Sequence, residues 1–485
     1  MRRTFSFAIA LAASLFLAAC GGSTNSTSST SPLSNMVPMV LTIGDTPPTG
    51  VAVLFFEALI TGATLQPSDP MKPAVKVLLT PVEVEFGHLQ TDRAFLNLAN
   101  VMPDTYNSIT LTFENATLTI ENHSGGMFGS CADNSACELM PTFNPSMVTV
   151  SSAPFPITIT QNSVVALKLD FDVNSSVQPG LSMINPTVSI TSLIQRDESE
   201  GAQEVEKVDE VDGVVTAVGN NQLTLMNEQS GQSFNISVDT NTVFQDFVRA
   251  GCTANPANFS CVKMGQILDV DLSASGMGAT LAKRIEFEED ANREAIKGII
   301  TSVDSTTQFH MVAFNEEPAM AGISEGSPVV VMIQPGAVFQ AAQEEMGEDG
   351  GFSNASLSFA SGSDLLVGQD VQIRPGTAST SGGVTTVTTD LVRLWPSQIT
   401  GNVMSVDASM GTFTLNQLSP LFTGATPSVT MITVETLSGM LVMDGDGSGS
   451  GLPAVGSSVS VKGLLFNTPG TPTLVTRTMR QQHGD

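Results

Sequence analysis

Apolar and polar side chains alternate along almost the whole chain with a period of two. In "ALKLDFDV" (166–173), Leu167, Leu169, Phe171 and Val173 alternate with Lys168, Asp170 and Asp172, as in a strand with one face in a core and the other in water. "SITLTFENATLTI" (108–120), "FNISVDTNTVF" (234–244) and "ILDVDL" (267–272) follow the same rule. Val, Ile and Thr stand where a helix favours Ala, Leu, Glu and Lys, and 42 Gly and 26 Pro interrupt the runs too often for long helices. The chain reads as all-β.

A repeat organises the second half. "GVVTAVGNNQLTL" opens at Gly213, "GIITSVDSTTQFHM" at Gly298 and "GNVMSVDASMGTFTL" at Gly401, and each is followed by a Gly-centred turn into a strand: "MGQILDV" (264–270), "VGQDVQI" (367–373) and "VGSSVSV" (455–461). Each copy then closes on a strand carrying an arginine, Arg284, Arg393 or Arg477. Repeat lengths of about 85 and 103 residues, measured between the opening glycines, are too long and uneven for a solenoid unit and suit small independent barrels with loops of different length.

These repeats resemble the uncharacterised bacterial family known as domain of unknown function 5666. The resemblance covers residues 208–482 and rests on the Gly-x-x-Thr-x-Val opening, the Thr-x-Phe centre ("NTVFQDF", 241–247, echoed in "GAVFQAA", 336–342) and the Gly turn near the end. It implies OB-like barrels in tandem; the third copy has no clear Thr-x-Phe. Residues 37–195 resemble a second family, domain of unknown function 4382, through "VLTIGDTPPTGV" (40–51), the "MPDTYNSITLTFENATLTI" block, "FPITITQNSVVALKLDFDV" (155–173) and "INPTVSI" (184–190). That resemblance implies a prealbumin-like β-sandwich. The expected order is a sandwich over 37–195, an acidic linker over 196–210, and barrels over 211–290, 294–396 and 398–482.

The N-terminus adds an address. Arg2 and Arg3 precede an apolar run, Phe5 to Ala19, too short to span a bilayer comfortably. Leu17-Ala18-Ala19-Cys20 resembles the bacterial lipoprotein processing box. That resemblance implies a signal peptide over 1–19, acylation of the Cys20 thiol and cleavage before it. Residues 20–36 then form a lipidated Gly/Ser/Thr tether, which behaves as a flexible coil. Two or three acyl chains suffice for stable anchoring. Gly21, rather than Asp, after the cysteine favours the outer membrane by the same resemblance, facing the periplasm or the cell surface.

Charge narrows the partners. The 485-residue chain has 19 Lys+Arg against 47 Asp+Glu, a net charge of −28; losing Arg2 and Arg3 with the signal peptide leaves −30. Such a polyanion repels nucleic acid, and with one Trp (Trp395) and one Tyr (Tyr106) the chain is poor in stacking platforms. No nucleic-acid partner is expected. The remaining partners are the membrane, through the anchor, and an envelope protein or glycan. Charged residues are only 14% of the chain and hydrophobic ones 41%, a balance that builds cores.

Local chemistry is sparse. In an oxidising compartment Cys131 and Cys137, then Cys252 and Cys261, are expected to close two short disulfide loops. His88, His123, His310 and His483 are isolated from one another and carry no metalloprotease spacing, and no nucleophile elbow, phosphate loop or zinc signature is present. Asp444, Asp446 and Ser448, followed by Gly449, imitate the first half of a calcium loop, but Val455 stands where a bidentate Glu is needed. This stretch and the Glu344, Glu345, Glu348 and Asp349 cluster read as solvated loops. No cofactor is expected. The functional expectation is a non-catalytic binding or structural module at the cell envelope; the alternative is an envelope hydrolase or carbohydrate-binding protein whose site forms only in the fold.

Overall fold

The computed structural model describes residues 36–482 apart from 47–51, 90–93, 124, 128–130, 162, 178–181, 197–206, 227–232, 246, 248–249, 275–279, 291–294, 318–322, 343–356 and 444–450. Cys20, the signal peptide, most of the acidic linker, both acidic loops (with Asp444, Asp446 and Ser448) and His483 lie outside the described residues. The expectation of an all-β chain holds, with a sandwich followed by three OB-like barrels. Among the described residues no helix is long and apolar enough to cross a membrane.

The sandwich is built from β1 (Val37–Thr46), β2 (Ala52–Pro67), β3 (Val75–Lys76), β4 (Val82–Glu85), β5 (Ala94–Val101), β6 (Asp104–Asn122), β7 (Ser135–Leu139), β8 (Thr142–Phe143), β9 (Met147–Val150), β10 (Ile157–Ile159), β11 (Ser163–Asp172), β12 (Met183–Ile184) and β13 (Val188–Arg196). One sheet runs β13-β11-β1-β5, with β1 and β11 parallel. The other runs β10-β6-β2-β3, with β4 added to β2 and β7 and β9 added to β6. The alternation seen in sequence becomes the core between them: Leu167, Leu169 and Phe171 of β11 and Met39, Leu41 and Ile43 of β1 meet Phe56, Ala58 and Ile60 of β2 and Leu111 and Phe113 of β6. Phe171 sits at the centre, its ring 4.7 Å from Phe86 and 5.5 Å from Phe113. Tyr106 is buried and its hydroxyl donates to the Met102 carbonyl at 2.8 Å.

The barrels follow one plan. Barrel one uses β14 (Lys207–Val218), β15 (Gln222–Met226), β16 (Ser233–Ser237), β17 (Val243–Gln245), β18 (Gln266–Ala274) and β19 (Thr280–Asp290). Barrel two uses β20 (Ala295–Ser305), β21 (Gln308–Glu317), β22 (Pro328–Ala341), β23 (Asp370–Ser381) and β24 (Val384–Trp395). Barrel three uses β25 (Ser397–Asp407), β26 (Thr412–Asn416), β27 (Ile432–Met443), β28 (Ser458–Phe466) and β29 (Thr473–Gln482). The last two close in the order first, second, third, fifth, fourth, with the third and fifth strands parallel. Barrel one closes through β16 and β19, and its third strand is split into β16 and β17, both parallel to β19.

The repeated residues acquire physical reasons. At Gly213, Gly298 and Gly401 a Cβ would lie 2.6, 2.5 and 2.8 Å from a carbonyl oxygen of the second strand (Met226, Val312 and Asn416), so a side chain there would force the two strands apart. The turn glycines Gly265, Gly368 and Gly456 have φ of 80°, 83° and 88°, a region where a Cβ is strained. Beside two of them a buried glutamine staples the turn: Gln266 accepts from the Lys263 amide and Gln369 from the Leu366 amide, each at 2.7 Å. In the Thr-x-Phe centre Thr242 donates to the Ala282 carbonyl at 2.8 Å, tying the crossover to the fifth strand, and Phe244 is buried.

The register also locates this centre in the third copy. Phe244, Phe339 and Val442 stand opposite Ile285, Val392 and Met479. The arginines do not repeat in this way. Arg393 pairs with Gln340, two positions beyond the jump in register, and Arg284 with Val243 immediately after it, whereas Arg477 falls within the jump, between Thr476 opposite Thr436 and Thr478 opposite Leu441.

The barrels are not independent. Residues 36–485 form one compact unit. Ala166, on the outer face of the four-stranded sheet, belongs to the apolar cluster of barrel one. Leu464, Phe466 and Val475 of barrel three join the core cluster of barrel two. A separate cluster unites Ala52, Leu54 and Phe55 of the sandwich, Val312 and Val367 of barrel two and Leu421 beside barrel three, with Phe314 and Ile299 against it. Loop lengths report nothing about such outer faces, so the repeat spacing could not reveal them. Gly298→Ala is expected to destabilise barrel two by about 1–3 kcal/mol through the forced strand separation, read as a lowered urea midpoint, whereas Gly336→Ala, in open space at φ 82°, pays only the conformational cost.

Candidate functional site

The densest assembly of ionisable groups lies where β2 and β4 meet barrels two and three. On the outer face of these strands Glu57 stands opposite Glu85 and Leu59 opposite Glu83. The chain turns sharply after β4, and the Glu85 carboxylate gathers that turn: it accepts from the amides of Phe56 (3.2 Å), Gly87 (2.8 Å) and His88 (3.1 Å). The His88 ring nitrogen Nδ1 lies 2.6 Å from its second oxygen.

The other side of His88 faces the barrels. Nε2 is 3.8 Å from Asp370 Oδ2, the ring centroid is 4.1 Å from that of Phe314, and the His88 carbonyl accepts from Gln398 Nε2 of barrel three. Asp370 is 2% exposed; its amide donates to Ser397 Oγ at 2.8 Å, while its Oδ1 finds no hydrogen-bond partner. Lys462 of β28 completes the cluster through its field on both His88 and Asp370.

These surroundings fix protonation. Burial disfavours the His88 cation, but the charge and hydrogen bond of Glu85 and the charge of Asp370 more than offset it, and the imidazole is raised to about 9. Burial, helped by Glu85, pushes Asp370 up to about 7 against the opposing pull of His88 and Lys462. A histidine held as a cation through neutral pH is an ion-pair partner and not a base. Among the described residues no hydroxyl or thiol hydrogen-bonds to it.

Three further clusters complete the picture. Glu57, desolvated and hydrogen-bonded to Glu325 of barrel two and to Glu83, is raised to about 9. Glu121, on β6, is 6% exposed and pushed up to about 7 by burial, with His123 Nε2 3.2 Å away opposing the shift. The His123 ring leaves no room for a side chain at Gly424 beside barrel three. In barrel one Arg284 binds Asp271 at 3.0 Å and Glu286 at 2.5 Å, with Asp269 at 3.6 Å, and these carboxylates raise it further above its ordinary range.

Of the residues expected to matter, Cys131 is bridged to Cys137 and Cys252 to Cys261. Among the described residues no group of three or more His, Cys, Asp or Glu is arranged to hold a metal ion. Three histidines isolated from one another in sequence each have an acidic companion within six residues: Glu85 for His88, Glu121 for His123, and Asp304 for His310 at 2.9 Å. "EFGH", "ENH" and "DSTTQFH" carried that signal. The barrel-side partners Glu325, Asp370 and Lys462 had none, since only the docking brings them near.

Barrel one has a recognised relative. Residues 212–286 match a family model described as Domain of unknown function (DUF5666). The match supports the resemblance for the first copy, and the other two share its strand order. No curated protein sequence matches the chain. Among solved structures, one described as "drosophila Unr CSD456" is 10% identical, with 57% of this chain and 98% of that chain covered at a TM-score of 0.12. A multidomain protein with nucleic acid binding domains from streptococcus pneumoniae tigr4 is 8% identical, with 55% and 72% covered at a TM-score of 0.11. The exclusion of nucleic acid as a partner is therefore withdrawn, because a structure similar to this chain carries nucleic acid binding domains. Net charge is a sum over the whole chain and does not fix the field on one barrel face. At these TM-scores the likeness carries no argument for what this chain itself binds.

His88→Gln is expected to cost on the order of 2 kcal/mol of stability at pH 6. The raised imidazole contributes fully below about pH 6.5 and loses its contribution as pH rises through 9, so the gap between variant and wild-type urea midpoints should close by about pH 10.

Proposed function

We propose that the protein is a lipid-anchored protein of the bacterial cell envelope, in the outer membrane, acting as a non-catalytic binding or structural module. Its N-terminal sandwich is read as a member of domain of unknown function 4382, and all three barrels as copies of domain of unknown function 5666. The observation that carries the non-catalytic reading is how the ionisable groups are spent. His88 and Glu85 face Asp370 across a domain junction, and His123, paired with Glu121 of its own domain, packs against Gly424 beside barrel three. A hydrolase that works through a histidine base needs an imidazole with a free lone pair next to a nucleophile; His88 commits Nδ1 to Glu85 and remains protonated through neutral pH.

The anchor is supported by the sequence Leu17-Ala18-Ala19-Cys20, the apolar run before it and the Gly/Ser/Thr stretch after it. Two short disulfides fit an oxidising compartment. In a Gram-negative host the wild-type chain should sediment with outer membranes and shift to an uncleaved precursor under globomycin. Cys20→Ala should abolish acylation. A variant that is still acylated and processed like wild type would refute the anchor.

A further inference from the structure

Barrel two meets the sandwich through the turn that leads into β22, where the Gly326 amide donates to the Ala313 carbonyl at 2.7 Å. Gly326, at φ 78°, lies so close to the outer face that a Cβ there would fall 2.9 Å from the Phe55 ring and 3.0 Å from Thr119 Oγ1. Thr119 donates to the Gly326 carbonyl at 2.7 Å. The residue before it, Glu325, is thereby carried onto the same face as Glu57 and hydrogen-bonds to it, with Glu83 also bonded to Glu57. Two carboxylates hydrogen-bond only when one of them keeps a proton, so this contact between domains contains a proton.

The same face continues to the second half of the junction. Glu85 is the cross-strand neighbour of Glu57, and around it stand His88 of the sandwich, Asp370 of barrel two and Lys462 of barrel three. Asp370 Oδ1 is buried with no hydrogen-bond donor, a position that favours a neutral carboxyl. The groups facing one another are thus five carboxyls (Glu57, Glu83, Glu85, Glu325 and Asp370) and two cations, His88 and Lys462. Asp370 is buried, Glu57, Glu83 and Glu85 are half-buried and Glu325 is exposed; with every carboxyl ionised the junction would hold an excess of negative charge. Each added proton relieves it.

We propose that the sandwich and barrels two and three are joined by a proton-operated clasp, in which carboxyl groups from the two sides share protons across the docking face, so that the barrels stay seated in acid and are released as alkali removes those protons. The direction is the same for Glu57 and Asp370: at about 9 and about 7, both hold their protons more tightly docked than in water, whereas His88 is raised chiefly by Glu85 of its own domain and does not drive docking. Docking is therefore strongest below the ordinary carboxyl range, weakens as pH passes 7, and is lost as it passes 9. Phe55, Val312 and Phe314, which the clasp keeps covered, become exposed when it opens.

Hydroxyl-radical footprinting of the full chain, at pH 6 and pH 9.5, reads this directly. Labelling is normalised to Met71, 89% exposed. Phe55, fully buried when docked, should gain at least tenfold in labelling at pH 9.5 and half-buried Phe314 should gain about threefold, while the sandwich-core rings Phe113 and Phe171 stay dark. Glu325→Gln and Glu57→Gln supply an amide donor that needs no proton from solution, and both should keep Phe55 and Phe314 protected at pH 9.5. Gly326→Ala should expose them already at pH 6. Equal labelling of wild type at the two pH values would overturn the proposal, as would opening of the folded glutamine variants with the wild-type pH dependence. Simultaneous labelling of Phe113 and Phe171 would do the same, because it would mark unfolding and not release; should Glu325→Gln fail to fold, Glu57→Gln decides.

Discussion

Covering the outer face of the sandwich sheet is the constraint on which the rest of this structure depends. Phe55 and Leu54 on that face are joined by Val312, Val367 and Leu421, with Phe314 beside them. Apolar burial at roughly 25 cal/mol per Å² rewards the contact. It also draws to the same interface the half-buried carboxylates that share the strands. Glu57, Glu83 and Glu85 cannot leave β2 and β4, and Glu325 and Asp370 arrive with barrel two. The shifted protonation of this junction follows from packing, and the cations His88 and Lys462 offset part of its cost.

The same constraint separates the roles of the barrels. Each has the same five-strand order, the same close-approach glycine and the same positive-φ turn. They differ in what their outer faces do. On the second strand of barrel two, Val312 and Phe314 are taken up by the sandwich. At the positions that match Val312, barrels one and three carry Met226 and Asn416, both only partly covered. A repeat of one domain has thus been put to unlike uses through side chains outside the core.

How legible this was depended on which face a residue serves. Strand positions with clean alternation, as in Leu167, Leu169 and Phe171, revealed the class, and the repeated glycines revealed the barrels, because both are dictated by the backbone of a single element. The arginines Arg284, Arg393 and Arg477 suggested a shared position that the pairing register does not give them, since a jump between the third and fifth strands shifts the frame. Docking left a quieter trace. In "MVAF" (311–314) and "LFF" (54–56) alternation fails, the signature of strands buried on both faces. The junction itself had no sequence signal, for Glu325 and Asp370 are more than two hundred residues from Glu57 and His88.

The account stands on the sandwich and barrels two and three behaving as one body. Differential scanning calorimetry of the full chain at pH 6 tests this most directly. A single transition should carry the sandwich and these two barrels, and Phe314→Ala should split it into separable steps. Separate transitions already present in the wild-type protein would contradict it.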